Sequence, residues 1–322
     1  MKVYDLVRKY GWEALAILPT IPNVRAEGNV FFVDSGATNA LDASDDEHGN
    51  SWDRPFARLN WAISKCTANQ GDVILLAPGH AETIEDTGTA SGATDTSEDE
   101  CTVDVAGISI IGLGTGSLRP TFTLATATDA AIVILAGATN VTIKNIIIVN
   151  SIADVAAAIT LSATSDGAVL EDIEFRDGGS AVEMVLGISA AAACDDVTIR
   201  GCRFFTTDAQ TGTLSAIKFA GATTRLIIED CFFRGDWNTS VIDGATAAGF
   251  DVLIRRNVIN QLDATAGLTV SLNAATTGAV VDNRCHGGKN GTHMAAAGCL
   301  LAENYESNVE GAQGFYGTAQ DS

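Results

Sequence analysis

Aromatic residues make up only 6% of this 322-residue chain. That scarcity speaks against an exposed platform of rings for stacking sugars. Basic residues are also few, 19 against 40 acids, which leaves a net charge of −21. Such a surface repels nucleic acids and anionic membranes, so neither is an expected partner. No apolar run approaches the ~18 residues of a membrane span. The first ten residues carry Lys2, Asp5, Arg8 and Lys9 where a secretory signal would need its apolar stretch, so none is expected. Cys66, Cys101, Cys194, Cys202, Cys231, Cys285 and Cys299 contain no CxxC pair and no regular framework. They read as free thiols that fill space, not as disulfides or zinc ligands. His48, His80, His286 and His293 share no metal-ligand spacing. No cofactor is expected, and no metal residue is assigned. The acidic stretch 42–47 has oxygen donors suited to calcium, but it lacks strict ligand spacing and reads more simply as a solvated loop.

What the chain does have is a strand pattern that repeats out of strict step. Apolar residues anchor it at Ile110, Ile143, Leu170, Ile199, Ile228, Ile254, Val280 and Leu301, at steps of 21 to 33 residues. A period in this range means a solenoid, a propeller or an array. Three residues past each anchor from Ile143 on, the column reads Ile146, Ile173, Cys202, Cys231, Asn257, Asn283, Asn304. Two further on it reads Ile148, Phe175, Phe204, Phe233, Ile259, Cys285, Glu306. Like falls on like, as stacked coils require, and the asparagines suit a buried bend where each amide serves the next coil. One residue past the anchor, Lys144, Glu171, Arg200, Glu229 and Arg255 alternate in sign, which predicts an outward charge ladder. Second strands are read upstream, over 131–135, 158–161, 182–186, 216–219 and 268–272, with small-residue corners after most of them. The fold class is all-β: a single right-handed parallel β-helix with three strands per coil and a short N-terminal helical arm.

Four segments follow from this reading. Residues 1–28 form the arm, with a helix over 3–17 that Pro19 and Pro22 end. Residues 29–72 hold a leading strand, the acidic loop and a capping helix over 57–66. Residues 73–306 are the β-helix, and 307–322 a C-terminal tail. The arm either caps the open end of the β-helix or binds another protein, and the two are compatible; Leu6, Val7, Tyr10 and Trp12, which have no place in the coil repeat, are the candidate partner-binding residues.

The stretch 29–85 carries Val33-Asp-Ser-Gly36, Trp52 with Pro55-Phe56, and Gly71-Asp72 through Ala77-Pro78-Gly79 to His80 and Glu82. This resembles the opening of right-handed β-helix proteins of the pectate-lyase-like superfamily, with His80 in place of the commoner tyrosine. The whole arrangement is similar to phage virion proteins of that fold, including tailspikes and capsid decoration or cement proteins. The resemblance implies a virion protein on the capsid surface, with the major capsid protein as partner and a homotrimeric state. The same fold carries lyases and spike glycosidases, so chemistry has to be judged on sites. Lyases of this fold use an acid cluster with calcium and a basic residue as proton acceptor. Here Arg200, Arg225, Arg255 and Arg256 face acids and read as a ladder instead. Asp208, Asp236 and Asp263 recur after successive strands and could flank a glycosidic bond, with Trp237 as the one aromatic beside them. Asp after a strand is also ordinary turn chemistry. No catalytic residue is assigned; a tail fibre or tailspike that binds or cleaves host polysaccharide is the alternative.

Overall fold

The computed structural model describes residues 28–43, 47–85, 101–179, 182–206, 213–263, 267–287, 294–307 and 313–316. They form a parallel β-solenoid with three strands per coil, in sheets of ten, ten and eight strands. Helix is almost absent among the described residues: one α-helix, Leu59–Ser64, and one short 3-10 turn, Gly116–Leu118.

Sheet 1 is the sheet of the anchors. Ile74, Ile110, Ile143, Leu170, Ile199, Ile228, Ile254, Val280 and Leu301 lie opposite one another in unbroken register. Ten strands at ~4.8 Å make a stack of about 43 Å. It is longer than the repeat alone implies because Val73–Leu76 and Val30–Val33 precede the strand of Ile110. Sheet 2 follows a tight bend, and its inward column runs Ile148, Phe175, Phe204, Phe233, Ile259, Cys285, Glu306 as the sequence predicts. The three phenylalanine rings stack face to face, at 4.5 Å and 4° between Phe175 and Phe204, and 4.8 Å and 9° between Phe204 and Phe233.

The bend has a specific backbone. Asn145, Asp172, Gly201, Asp230, Arg256, Asp282 and Glu303 all have φ between 53° and 63°. This left-handed conformation is natural for Asn, Asp and Gly, and costs an ordinary side chain about 1–2 kcal/mol. The strain is offset because the bend amide points along the solenoid axis: Asn145, Asp172 and Gly201 donate to Glu171, Arg200 and Glu229 one coil on. The next residue turns inward and donates from its side chain to the anchor carbonyl of the preceding coil. Asn257, Asn283 and Asn304 do this to Ile228, Ile254 and Val280 through Nδ2. Cys202 and Cys231 do it to Leu170 and Ile199 through the thiol. Thiol and amide thus serve one buried column in the same way, so Cys202 and Cys231 stand where Asn257, Asn283 and Asn304 follow, and both thiols are free.

Sheet 3 contains two departures from the sequence reading. The segment 182–186 is not its strand; the strand is Leu186–Ala190, in register with Ile159–Leu161 through Ile159 and Ile188. Met184 makes only an isolated bridge to Val155. Ile188 and Ala190 fill the core while Gly187 leaves room for Phe204, whose ring would lie 2.9 Å from an added Cβ. Cys101–Val103, Ser240–Gly244 and Met294–Ala295 are further strands of this sheet that the pattern did not reveal.

At the front, Leu59, Ala62 and Ile63 of the helix join the core and cap it. The helix is shorter than the predicted 57–66, because Arg58 is extended and both it and Ala57 donate backbone N–H groups to Asp42 Oδ1. At the far end, Gln313–Tyr316 pairs antiparallel with Asn304–Ser307, where a tail had been expected. The predicted arm helix over 3–17 lies outside the described residues.

Candidate functional site

The sequence-derived partner residues Leu6, Val7, Tyr10 and Trp12 lie outside the described residues, as does Asp208. The other members of the carboxylate series sit at the corner between sheets 2 and 3. Asp236 is half-buried and Asp263 is buried. Asp263 Oδ2 accepts the Gly267 N–H at 3.0 Å and so closes its own turn. Trp237 does not face solvent as a sugar platform would; it is 2% exposed and belongs to the core. Its backbone N–H donates to Gln261 Oε1 at 3.0 Å, and its carbonyl accepts Gln261 Nε2 at 2.7 Å. The buried glutamine of the next coil therefore holds the tryptophan inward. Asp177 extends the acid series one coil earlier, and its Oδ1 accepts the Met184 N–H at 3.0 Å. At this corner Asp177 and Asp263 hold backbone N–H groups on either side of a tryptophan wedge. Its mouth is lined by Asp177, Thr206, Thr213 and Ser215 over Phe204, Phe205 and Trp237.

On the outer face of sheet 1 the expected charge ladder is present. Glu171 bridges Lys144 at 2.7 Å and Arg200 at 2.6 Å, and Glu229 bridges Arg255 at 2.7 Å and Arg256 at 2.8 Å. Burial raises the Glu171 carboxyl, but the bonds from Lys144 and Arg200 outweigh it and hold the group below its ordinary range. Arg225 and Arg256 are raised by their carboxylate partners, Asp196 and chiefly Asp230. These guanidinium groups are more firmly protonated than usual, the reverse of what a proton acceptor needs.

Sequence reasoning missed Arg119. Its side chain is 14% exposed and ion-pairs with Glu174 at 3.1 Å, while Nη2 donates to the carbonyls of Ile146 and, more closely, Asp172. Burial lowers this guanidinium, against the raising effect of Glu174 and Asp172. The only sequence signal was its place just before Pro120, ahead of the strand Thr121–Ala125. With its donors engaged by two bend carbonyls, it acts as a clamp across two coils.

His80 also reads as structural. Its Nδ1 accepts the Ser35 N–H at 3.1 Å, which leaves Nε2 to donate to Glu82 Oε2 at 3.1 Å. Glu82 Oε2 accepts the Leu59 N–H as well. Ser35 Oγ donates to the Ala81 carbonyl and not to the imidazole. Ser, His and Glu are adjacent without the hydroxyl-to-imidazole bond that nucleophilic catalysis requires. In the acidic loop, Asp42 is committed to Ala57 and Arg58, with Nε of Arg58 2.7 Å from Oδ2. No group of three or more His, Cys, Asp or Glu side chains is placed to hold a metal among the described residues.

No protein-family model matches the chain, and no curated protein does. Among solved structures, it is similar to a GH136 lacto-N-biosidase from Eubacterium ramulus, at 12% identity and a TM-score of 0.47, over 93% of this chain and 62% of that one. The chain thus spans about three-fifths of the biosidase's length. A rhamnogalacturonan lyase gives 12% and 0.42, over 86% of this chain and 87% of the other. ORF18 of Geobacillus virus E2 gives 10% and 0.33, over 94% and 64%. The activities in those names belong to those proteins.

Proposed function

We propose that this chain is a structural protein of a phage virion, a decoration or cement protein that binds the major capsid protein and stabilises the shell, as a homotrimer. The observation that carries this reading is how the solenoid uses its polar side chains. The outward bases of the sheet 1 ladder are paired with acids on adjacent coils, Asp177 and Asp263 accept backbone N–H groups, and the one tryptophan beside them is buried. Among the described residues this leaves an acidic solenoid in which these side chains serve the fold. The resemblance of the whole arrangement to virion β-helix proteins supplies the context. Co-sedimentation of the purified protein with particles lacking it, followed by the temperature at which those particles rupture, tests the proposal. Stoichiometric binding with a raised rupture temperature supports it; binding to tails alone overturns it.

One observation favours a second reading, a tail fibre or spike that binds or cleaves glycan. Asp177, Asp236 and Asp263 recur at one corner on three of four successive coils, with Asp208 on the fourth in sequence. New reducing ends or unsaturated sugar released from host polysaccharides, and lost in Asp236→Ala, would establish that reading.

A further inference from the structure

The outer face of sheet 2 carries the opposite charge from the chain as a whole. Register sets two outward columns on either side of the phenylalanine stack. One holds Arg203, Phe232, Arg284 and Tyr305, and the other Arg176, Phe205 and Arg234. From Arg176 and Arg203 onward neither column contains an acid. The four arginines and Tyr305 are exposed, while Phe205 and Phe232 are half-buried with ring centroids 5.7 Å apart. Arg176 is held by Glu174. Arg203, Arg234 and Arg284 have no ion-pair partner among the described residues, whereas every other described arginine has one. From Arg203 to Tyr305 the strip crosses five strands, about 19 Å. Arginine with aromatic rings, free of lysine and acids, is the composition of a protein–protein contact and not of a merely solvated face.

We infer that this strip is the face by which one copy of the chain holds an acidic surface of the next. A second copy supplies what the arginines lack: its net charge is −21, and acids such as Asp251 and Asp282 stand exposed at its turns. Copies of so acidic a chain repel one another in general, so they associate only where bases meet acids, and that selects this face. A twofold axis through the strip would set arginine against arginine. The contact is therefore strip against acid, a head-to-tail arrangement that closes as a ring, and the smallest such ring is a trimer. This names the contact within the homotrimer proposed above and rests on that part of the reading.

Sedimentation equilibrium of the full chain tests the contact, with three copies of 33.3 kDa as the expected particle. The triple variant Arg203→Gln/Arg234→Gln/Arg284→Gln should associate at least ~100-fold more weakly and keep its far-ultraviolet circular dichroism, since all three side chains are exposed. A control with the same change in net charge on other faces, Arg54→Gln/Lys65→Gln/Arg225→Gln, should remain trimeric. Equal dissociation of both variants would assign the effect to net charge and overturn the inference. A trimer that persists in the strip variant overturns this face and leaves the homotrimer standing, whereas a native chain that is monomeric at every concentration overturns both. If that monomer binds polyglutamate through the same arginines, the face takes an acidic partner of another kind, and the assignment to a second copy falls.

Discussion

Asn283 Oδ1 accepts two hydrogen bonds from Asn257 one coil earlier, from its backbone N–H and from its Nδ2, each at 3.0 Å. Asn283 repeats the arrangement toward Asn304 and donates Nδ2 to the Ile254 carbonyl at 3.0 Å. All three asparagines are 0% exposed. Replacing the middle one removes partners from groups that water cannot reach, at about 1–3 kcal/mol each.

Asn283→Leu is therefore expected to destabilise by roughly 3–5 kcal/mol, although leucine fits the column by size. Denaturant titration would show the loss, and the Asn257 amide should exchange with solvent much faster. A change under about 1 kcal/mol would mean that the ladder is dispensable.

The phenylalanine stack tests the core itself. Phe204 is 2% exposed and stacked on both sides by Phe175 and Phe233. Phe204→Ala should cost about 3–5 kcal/mol through lost burial and the cavity left behind. Phe204→Leu should cost clearly less, since it keeps most of the volume. Equal losses in thermal unfolding would point to ring stacking over volume as the source of stability.

Glu303 offers a change in the opposite direction. It occupies the left-handed bend at φ 56° and is exposed. Other coils place Asn145, Asp172 or Gly201 at the same point. Glu303→Gly removes a strain of about 1–2 kcal/mol and adds roughly 0.4–1 kcal/mol of unfolded-state entropy. A net gain of about half a kcal/mol is expected, read as a small rise in melting temperature; a clear loss would show that the side chain has a role of its own.

The coil register was legible because each anchor is one apolar residue among outward polar ones, at a fixed offset from a bend. Sheet 3 was legible only in part, since its corners vary in length. Leu186–Ala190 contains Gly187 and Ser189, so apolar density drew the expected strand a few residues early. Trp237 sits between Asp236 and Asn238 and reads as exposed; only the partner Gln261 on the next coil turns it inward. The left-handed conformations of Arg225 and Arg256 were equally hidden, because arginine carries no local preference for them. Asp236 and Asp263 were identified as recurring acids, with turn chemistry as the simpler reading, and the Gly267 bond to Asp263 bears that out for Asp263. The assignment of partner binding to Leu6, Val7, Tyr10 and Trp12 rested on residues beyond the repeat, which lie outside the described residues.

The charge ladder makes a pH-dependent prediction. Glu171 is held below the ordinary range by Lys144 and Arg200, against the opposing effect of burial. A depressed carboxyl contributes stability that is present above its unfolded pKa, about 4.3, and is lost as pH falls through the lower folded value. Glu171→Gln should then cost about 1 kcal/mol at pH 7 in dilute buffer, a modest figure because Arg200 is partly exposed and screened. The cost should shrink in 1 M salt and decline progressively as pH falls below the unfolded value and through the lower folded one. Asp172 beside it has the opposite sign, raised by burial and by the Glu171 charge. Asp172→Asn keeps a residue that tolerates the left-handed bend and removes that penalty, so it should be neutral or slightly stabilising at pH 7. Denaturation midpoints for the two variants across pH 3–8 would check both signs. A Glu171→Gln deficit that persisted unchanged at pH 3 would assign the effect to packing, not charge.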